Sequence, residues 1–415
     1  MTSFDVAILG GGPAGSVCAA RLAQLGRQVL VLEKASHPRF HLGESLLPNS
    51  LGVLETIGVL QDVRRRFMVK RGARFVDGAD DRRAVRYAFS EAFHPRWDHA
   101  FQVPRDEFDE LLFRRAEACG ADAREGWEGT HIVRDGDRAI GVQARGPDGT
   151  VHDIDARFVV DATGRDAALA RAGGALERIP TLDRTALFTQ VRGAWRDRGD
   201  REGDIQIVVF GQADQRGWFW LIPFADGRTS VGAVVSGAWV RAHRAEGGPE
   251  ALFASAVQSA PAMGALLAEA TTLFPARSTA DFSFRVGTVR GERWLSVGDA
   301  AGFIDPLFST GAHLAMTTAL QAAEAVHAAL ADDEVLPERF DAWERELRTG
   351  ADLFVGAVQA FYRGELVSYL FAEAQHPFLR RAITSMLAGD VFDPDARWAR
   401  EMRTRFPPRW QPAGA

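Results

Sequence analysis

The first fifteen residues contain the feature that most constrains the fold. The apolar segment 4–9 predicts a buried strand, and Gly10, Gly12 and Gly15 follow it with G-x-G-x-x-G spacing at the start of an alanine-rich predicted helix. In a strand-turn-helix unit, such glycines permit a tight turn, close approach of a pyrophosphate and close helix packing. A second predicted strand ends in Glu33, whose carboxylate can accept hydrogen bonds from ribose hydroxyls. The segment is therefore predicted to bind a dinucleotide.

Composition excludes several other classes. The 415 residues carry a formal net charge of −6 and no lysine/arginine run, so we expect no nucleic-acid partner. The two cysteines are too few for a disulfide framework or a zinc site, and the histidines show no metal-ligand spacing, so we expect no metal. No apolar run is long enough to span a bilayer. We expect a cytoplasmic protein without membrane insertion.

Further along the chain, the pattern alternates between predicted helices and short strands. A helix is predicted to begin near Arg105 with Asp106 as its N-cap. Segment 158–161 predicts a buried strand that returns to the nucleotide-binding sheet, and alternating residues from about 185 to 235 predict further strands. From about 338 to 387 the apolar spacing predicts helices.

Four motifs occur in an order that resembles the flavoproteins of the aromatic hydroxylase superfamily. They are the glycine fingerprint with Glu33, Val103-x-Arg105, Asp161-Ala162-Thr163-Gly164, and the segment 298–306, Gly-Asp-Ala-Ala-Gly-Phe-Ile-Asp-Pro. The resemblance implies that the dinucleotide is FAD, that Asp299 contacts its ribityl chain and that Arg105 faces the flavin. The cofactor-binding residues implied in this way are Gly10, Gly12, Pro13, Ala14, Gly15, Glu33, Lys34, Gly43, Glu44, Ser45, Arg105, Asp299, Pro306 and Gly311.

This resemblance also implies an architecture. We expect an α/β (α+β) fold with a glutathione-reductase-like Rossmann FAD-binding domain, formed by residues 1–75, 100–180 and 280–335. An antiparallel-sheet substrate domain is expected from residues 76–99 and 181–279. A helical C-terminal region is expected from residues 336–415.

Within that superfamily, four stretches look like the flavin-dependent halogenases. Segment 217–223 fits the signature W-x-W-x-I-P, and Lys70 lies in F-x-x-K-x-G-A-x-F. Segment 305–311, Asp-Pro-Leu-Phe-Ser-Thr-Gly, opens a long predicted helix, and Gly43-Glu44-Ser45 lies in the expected flavin loop. The resemblance implies a natural-product halogenase that uses reduced FAD, oxygen and chloride or bromide. A separate flavin reductase would supply the reduced FAD.

Halide binding requires a cationic or N–H-rich pocket beside the flavin. The free N–H groups of Thr310 and Gly311 at the start of the predicted helix can supply it, so both residues are halide-binding candidates. The alternative is that these amides bind only a carbonyl oxygen of the flavin, as related hydroxylases also require.

Lys70 is the catalytic candidate. By the resemblance, its amine holds hypohalous acid by hydrogen bonding, or carries the halogen as a haloamine, at a tunnel towards the substrate. Without the family surroundings, a lysine near an arginine-rich helix indicates a solvated surface charge. Trp218 and Trp220 point to one strand face, where they can line a passage or form a core stripe; neither is a catalytic candidate.

One departure from the family narrows the expected substrate. Tryptophan halogenases carry a glutamate immediately before Ser-Thr-Gly, where this chain has Phe308. A phenyl ring cannot accept a proton, so free tryptophan is not the expected substrate. The pattern favours phenols, pyrroles or acyl groups held on an acyl or peptidyl carrier protein.

Two other function classes stay open at this point. The first is an FAD-dependent monooxygenase or an oxidase/desaturase on the same fold, which uses no halide and in which Lys70 is incidental. The second is a non-catalytic flavoprotein or a module that docks carrier proteins. Reduction by NAD(P)H without an added reductase would indicate a monooxygenase, because a hydroxylase of that kind reduces its own flavin.

Overall fold

The structure is a computed structural model that describes residues 4–243, 247–280 and 282–410. The predicted domain ranges also include residues 1–3, 244–246, 281 and 411–415, which lie outside the described residues. In chain order the strands are β1 (Phe4–Leu9), β2 (Val29–Glu33), β3 (Met68–Lys70), β4 (Gly72–Asp77), β5 (Asp80–Ala88), β6 (Ala100–Gln102), β7 (Asp122–Glu125), β8 (Glu128–Asp135), β9 (Arg138–Arg145), β10 (Val151–Asp161), β11 (Leu176–Arg178), β12 (Arg184–Arg192), β13 (Ile205–Phe210), β14 (Gly217–Pro223), β15 (Arg228–Ser236), β16 (Thr271–Thr272), β17 (Arg277–Ala280), β18 (Phe284–Val286), β19 (Arg290–Gly291), β20 (Trp294–Ser296) and β21 (Gly302–Phe303).

The α-helices pack on and between the sheets that these strands form. They are α1 (Pro13–Gln24), α2 (Ser50–Ile57), α3 (Leu60–Arg66), α4 (Arg105–Ala118), α5 (Ala168–Ala172), α6 (Gly237–His243), α7 (Pro249–Gln258), α8 (Pro261–Leu266), α9 (Thr310–Asp332), α10 (Asp341–Arg363), α11 (Glu365–Leu370), α12 (Pro377–Leu387) and α13 (Arg397–Arg405). Among the described residues, no helix is both long and apolar enough to cross a membrane.

The first sheet is the nucleotide-binding sheet, with strand order β19-β20-β10-β1-β2-β7. The five strands from β20 to β7 are parallel, and β19 is antiparallel to β20. Val6 and Ile8 of β1 belong to the core shared with α1, α4 and α9. Ala7 and Leu9 belong to a smaller core under the β8–β9 hairpin. Both faces are therefore covered, as a parallel sheet requires, and the predicted α/β class with a Rossmann-type sheet is confirmed.

Strand β10 connects the two layers of this domain. Its first half, Val151–Asp155, pairs antiparallel with β9, and its second half, Ala156–Asp161, pairs parallel with β1. The predicted strand at 158–161 is thus the inner end of a longer strand. The end of β10 brings Asp161 and Ala162 beside the glycine-rich turn, because Ala162 N donates to Leu9 O at 2.8 Å.

The second sheet has the order β16-β12-β15-β14-β13-β4-β5, and β17 also pairs with β12. Within the described residues its pairs are antiparallel, except that β13 and β4 run parallel. The expected antiparallel sheet is therefore present, with this one pair as an exception. Strands β4 and β13 are far apart in the sequence, so no hairpin fixes their relative direction.

Two details differ from the sequence-based expectation. Strand β4, Gly72–Asp77, crosses the predicted boundary between residues 75 and 76, and the division into domains stays a prediction. Asp106 is not the N-cap of α4, because the helix begins at Arg105 with Pro104 as the N-cap residue. The Asp106 carboxylate instead accepts from Glu107 N within the first turn, at 3.0 Å.

Two helical glycines provide a matched test of how the C-terminal segment packs on α10. A Cβ at Gly356 of α10 would lie 1.9 Å from Phe406 O, whereas a Cβ at Gly264 of α8 would meet open space among the described residues. We expect Gly356→Ala to lower the free energy of unfolding by about 1–3 kcal/mol through overpacking. Gly264→Ala should raise it by about 0.5–1 kcal/mol, because alanine loses less backbone entropy in a helix. Denaturant unfolding measures both, and a stabilising Gly356→Ala would contradict this packing of the C-terminal segment on α10.

Candidate functional site

The glycine-rich turn is held by close backbone contacts. Gly10 has φ +103°, and a Cβ on it would lie 2.3 Å from Ala162 O. A Cβ on Gly15 would lie 1.9 Å from Gly10 O, so α1 approaches the end of β1 as closely as a glycine allows. At Gly12, by contrast, the nearest atom to an added Cβ is Arg39 Nη2 at 3.6 Å. Gly12 therefore leaves space for another group above the start of α1.

That space is part of a cavity of about 1040 Å³. Its size suits an extended dinucleotide, because ordinary ligand pockets hold about 300–1000 Å³. It is lined by these predicted cofactor-binding and halide-binding residues: Gly10, Gly12, Pro13, Ala14, Glu33, Lys34, Gly43, Glu44, Ser45, Arg105, Asp299, Pro306, Thr310 and Gly311. Of the described candidates, Gly15 and Lys70 do not line it.

Glu33 is fixed at one end of the cavity by backbone donors. Its Oε2 accepts from Gly11 N at 2.8 Å, and its Oε1 accepts from Ala35 N at 2.9 Å. Arg39 lies 3.6 Å from the same carboxylate. Lys34 points outward, with a half-exposed side chain that pairs with Asp166. The carboxylate is thus positioned before any ligand binds.

Arg105 supports the segment 42–45, which lines the cavity. Its Nε and Nη2 donate to the two carboxylate oxygens of Asp109 at 2.7 and 3.0 Å, and Nη1 donates to Leu42 O at 2.5 Å. This buried bidentate pair fixes the guanidinium, which in turn holds the chain entering Gly43. We call residues Gly43–Leu46 the flavin loop.

The flavin loop carries buried polar atoms that are unsatisfied within the part of the chain that the structure describes. They are Glu44 Oε1 and Ser45 Oγ. Burial raises the pKa of the Glu44 carboxyl to about 7, although a hydrogen bond from Ser230 and the charge of Arg105 oppose the shift. Unpartnered buried groups cost free energy, and both residues line the cavity, so they fit a polar ligand there.

Asp299 lines the cavity close to the start of α1. Burial raises the pKa of its carboxyl to about 6, and the charges of Arg165 and Arg105 lower it. Gly298 has φ +61°, and a Cβ on it would lie 2.8 Å from Ala14 Cβ. Glycine is therefore needed for Asp299 to come this close to the start of α1.

Several lining residues were not predicted as site residues. They include Arg39, Phe40, Trp127, Arg165, Phe282 and Phe303. Arg165 follows the end of β10, and side chains after the carboxyl ends of parallel strands converge at the ligand site, so its position was available from the sequence. Phe303 lies in β21, within the segment 298–306 that the sequence analysis singled out. The other four come from loops whose approach to the cavity depends on tertiary packing.

The segment before α9 forms a tight turn at the cavity. Ser309 has φ +58° and precedes α9, which begins at Thr310. The N–H groups of Thr310 and Gly311 lie in the first turn, where an α-helix offers no internal acceptor. Phe308 is buried in the preceding 3-10 turn. Asp305 stabilises this turn by accepting from Leu307 N at 2.9 Å.

Lys70 lies behind the flavin loop and is 1% exposed. Its Nζ donates to Leu46 O at 3.0 Å and lies 5.2 Å from the centroid of the Phe89 ring. Burial lowers the pKa of the amine to about 7, against the opposing charge of Asp204. The charge pattern alone indicates that Lys70 lies at the surface, but in the structure Lys70 is buried.

Strand β6 connects Lys70 to the flavin loop. Lys70 pairs with Ala100 across the β3–β6 ribbon. On the other side of β6, Leu46 N donates to Phe101 O at 3.0 Å, and Val103 N, directly after β6, donates to Glu44 O at 2.7 Å. The loop thus stands between the amine and the large cavity.

Trp218 and Trp220 line the cavity from β14 and share one core, whereas Phe219 belongs to the core on the opposite sheet face. The prediction that both indoles point to one face is confirmed. Each indole N–H is paired: Trp218 Nε1 donates to Tyr362 Oη at 3.0 Å, and Trp220 Nε1 donates to Ser230 Oγ at 3.1 Å.

Comparison with known proteins identifies relatives over most of the chain. The family model described as tryptophan halogenase matches residues 5–97 and 79–366. The chain is 30% identical over 412 residues to the 1H-pyrrole-2-carbonyl-[peptidyl-carrier protein] chlorinase of Pseudomonas fluorescens, which covers 94% of this chain and 90% of that protein. It is also 30% identical over 349 residues to the tryptophan 2-halogenase of Chondromyces crocatus, of which it spans only 65%.

Solved structures of flavoproteins also superpose on this chain. The flavin-dependent brominase Bmp2 superposes with a TM-score of 0.87 at 26% identity, covering 97% of this chain and 98% of Bmp2. A flavoprotein/dehydrogenase from Cytophaga hutchinsonii superposes with a TM-score of 0.89 at 29% identity, covering 98% and 97% of the two chains. Because the family model and the relatives match most of its length, the chain belongs to the flavin-dependent halogenases, which are FAD-dependent oxidoreductases that use a halide.

Proposed function

We propose that this protein halogenates a pyrrole-2-carbonyl group held on a peptidyl carrier protein, with reduced FAD delivered by a separate flavin reductase. The substrate class is supported by the carrier-bound pyrrole chlorinase, which matches 94% of this chain. It is also supported by Phe308, which replaces the glutamate expected for a tryptophan substrate. A pyrrole ring is electron-rich and needs no carboxylate for activation.

In this proposal the large cavity holds FAD. Gly12 and the first turn of α1 would hold the pyrophosphate, Glu33 the ribose and Asp299 the ribityl chain. Arg105, which lines the cavity and supports the flavin loop, would face the flavin. When bound in reduced form, FAD supplies with oxygen the oxidising equivalent that turns a halide ion into hypohalous acid.

The halide ion would bind at the start of α9. The N–H groups of Thr310 and Gly311 lie in the first turn of a helix of 23 residues and border the cavity. A helix N-terminus favours an anion through both its free donors and its dipole. The chain's own contribution to the oxidation is thus to place the halide beside the flavin.

The burial of Lys70, with the lowered pKa that follows from it, is the observation that carries the proposal. Only two of the 49 basic Lys and Arg residues of this chain are lysines, and Lys70 is the fully buried one. Arginine keeps its proton in proteins, whereas a buried lysine can lose it near neutral pH. With a pKa of about 7, the Lys70 amine is partly neutral at physiological pH and can act as a nucleophile or hydrogen-bond acceptor for hypohalous acid.

The flavin loop separates the Lys70 amine from the cavity. Because the loop stands between Lys70 and the cavity, a substrate beside Lys70 would not touch the flavin. In this proposal hypohalous acid, which is much smaller than the substrate, would be the species that passes the loop. Lys70 would therefore direct the halogen, and it would not take part in the oxidation.

We expect bromination of the carrier-bound pyrrole to depend on Lys70. The assay contains the protein, FAD, NADH, a flavin reductase, bromide, oxygen and a peptidyl carrier protein loaded with pyrrole-2-carboxylate. Mass spectrometry of the carrier should show the bromine isotope doublet. Lys70→Ala should lower the rate at least about 100-fold, which is the lower end of the rate effect of a positioned acid–base side chain. Its FAD affinity should stay unchanged because Lys70 does not line the cavity.

Lys70→Arg is the matched variant, because it keeps a cation but not a titratable amine, and it should be as inactive as Lys70→Ala. Free pyrrole-2-carboxylate serves as the substrate control. An unchanged doublet in Lys70→Ala would indicate leaked hypohalous acid and would refute the lysine role. Consumption of NAD(P)H without the reductase, with oxygenated or desaturated products, would indicate a monooxygenase or oxidase instead.

Because the chain has only two lysines, NMR of protein labelled at the lysine ε-carbon can measure the Lys70 pKa directly. One resonance should titrate with a midpoint near pH 7, which we assign to Lys70, and it should vanish in Lys70→Met. Lys34 pairs with Asp166, which raises the pKa of its amine, so its resonance should titrate above the ordinary range. Two resonances that both titrate above pH 10 would contradict the buried position of Lys70.

The same lowered pKa predicts how stability depends on pH. Between about pH 7 and the ordinary lysine pKa of 10.5, the unfolded chain binds a proton at Lys70 that the folded protein does not. This term makes the free energy of unfolding rise with pH in that window. Lys70→Met should therefore stabilise the protein most at about pH 7 and much less at pH 10. Urea unfolding at both pH values measures this, and an equal effect at both would contradict it.

A further inference from the structure

We propose that Tyr362 is a positioning residue for the halide site and acts through Asp305. Tyr362 is the penultimate residue of α10, on an element from which the proposed function takes no residue. It lies between the turn that leads to Thr310 and the cavity wall formed by Trp218. The inference rests on the proposed halide role of Thr310 and Gly311.

The hydrogen bonds of Tyr362 can run in only one direction. An indole N–H can only donate, so the Tyr362 hydroxyl accepts from Trp218 Nε1 at 3.0 Å. The single hydroxyl proton is then available for Asp305 Oδ2 at 2.8 Å. The other oxygen of Asp305, Oδ1, accepts from Leu307 N at 2.9 Å. A continuous chain therefore connects Trp218, Tyr362, Asp305 and the backbone of the turn.

The three side chains in this series of hydrogen bonds are buried: Trp218 is 1% exposed, Asp305 1% and Tyr362 6%. Arg184 of β12 supports the arrangement, because its guanidinium carbon lies 3.6 Å from the centroid of the Tyr362 ring. Burial raises the pKa of the Asp305 carboxyl to about 6, while its hydrogen bonds and the charge of Arg184 favour the ionised form. The Tyr362 hydroxyl is thus one of the groups that keep a buried carboxylate in place.

Asp305 matters because of the residues that follow it. Ser309 N donates to Pro306 O at 3.0 Å, and Ser309 takes φ +58° at the entrance of α9. The direction of the Thr310 and Gly311 N–H groups depends on this turn, since they are the first two residues of the helix. Without the Tyr362 hydroxyl, Asp305 would keep a buried oxygen unpaired and would be free to rotate away from Leu307 N.

The test is the affinity of the FAD-loaded protein for bromide. Titration is followed by the flavin absorbance, and crystals soaked in bromide locate the ion by its anomalous signal. Tyr362→Phe should raise the bromide dissociation constant at least about 10-fold, which corresponds to an unsatisfied buried acceptor near the site. The FAD dissociation constant should change less than about twofold, because Tyr362 does not line the cavity.

Two further variants separate positioning from general destabilisation. Tyr369→Phe also removes one tyrosine hydroxyl, which donates only to His376 O in the described structure, and it should leave the bromide constant unchanged. Asp305→Asn keeps an acceptor for Leu307 N, so its effect should be smaller than that of Tyr362→Phe.

The outcomes are distinguishable. Equal bromide affinity in Tyr362→Phe and wild type would overturn this inference and leave the proposed function intact. An equal loss of bromide and FAD affinity would also overturn it, because that result indicates a general structural role. A wild-type protein that shows no bromide at Thr310 and Gly311 would overturn the proposed halide site and this inference together.

Discussion

The close contact between the glycine-rich turn and the end of β10 is the constraint on which the site depends. Gly10 leaves no room for a Cβ against Ala162 O, and Gly15 leaves none against Gly10 O. A third glycine, Gly298, brings the Asp299 segment against Ala14 in the same way. Three segments distant in sequence thus meet at backbone distance. Larger side chains at these positions would separate the segments and alter the cavity that they border.

Burial of Lys70 is the second costly feature of the fold. Desolvation penalises a buried ammonium group strongly and lowers the pKa of the Lys70 amine. Within the described residues no carboxylate forms an ion pair with it that would offset this penalty. The charge of Asp204 opposes the lowering of the Lys70 pKa, but its carboxylate accepts hydrogen bonds from Arg71 N and from Arg86 Nε. A residue with this cost fits a chemical role, since an apolar side chain would be more stable there.

The sequence predicted those parts of the protein that local motifs determine. The strand and glycine-rich turn at 4–15, the inward-facing pair Trp218 and Trp220, and the family itself are confirmed. The parallel β13–β4 pair and the buried environment of Lys70 were beyond local reasoning, because both depend on partners far away in the chain. The bond between Tyr362 and Asp305 likewise joins α10 to a turn 57 residues earlier, and no spacing rule indicates it.

Strand β14 connects both sides of the cavity through its two tryptophans. On one path Trp220 Nε1 donates to Ser230 Oγ of β15, and on the other Trp218 Nε1 donates to Tyr362, which donates to Asp305. The second path ends at the buried Asp305 carboxyl group, whose pKa is raised by burial. If the indoles only filled space, phenylalanine would pack as well, but it would leave both paths without a donor. The W-x-W pattern therefore ties β14 to Ser230 of the neighbouring strand and, through Tyr362, to the turn that precedes α9.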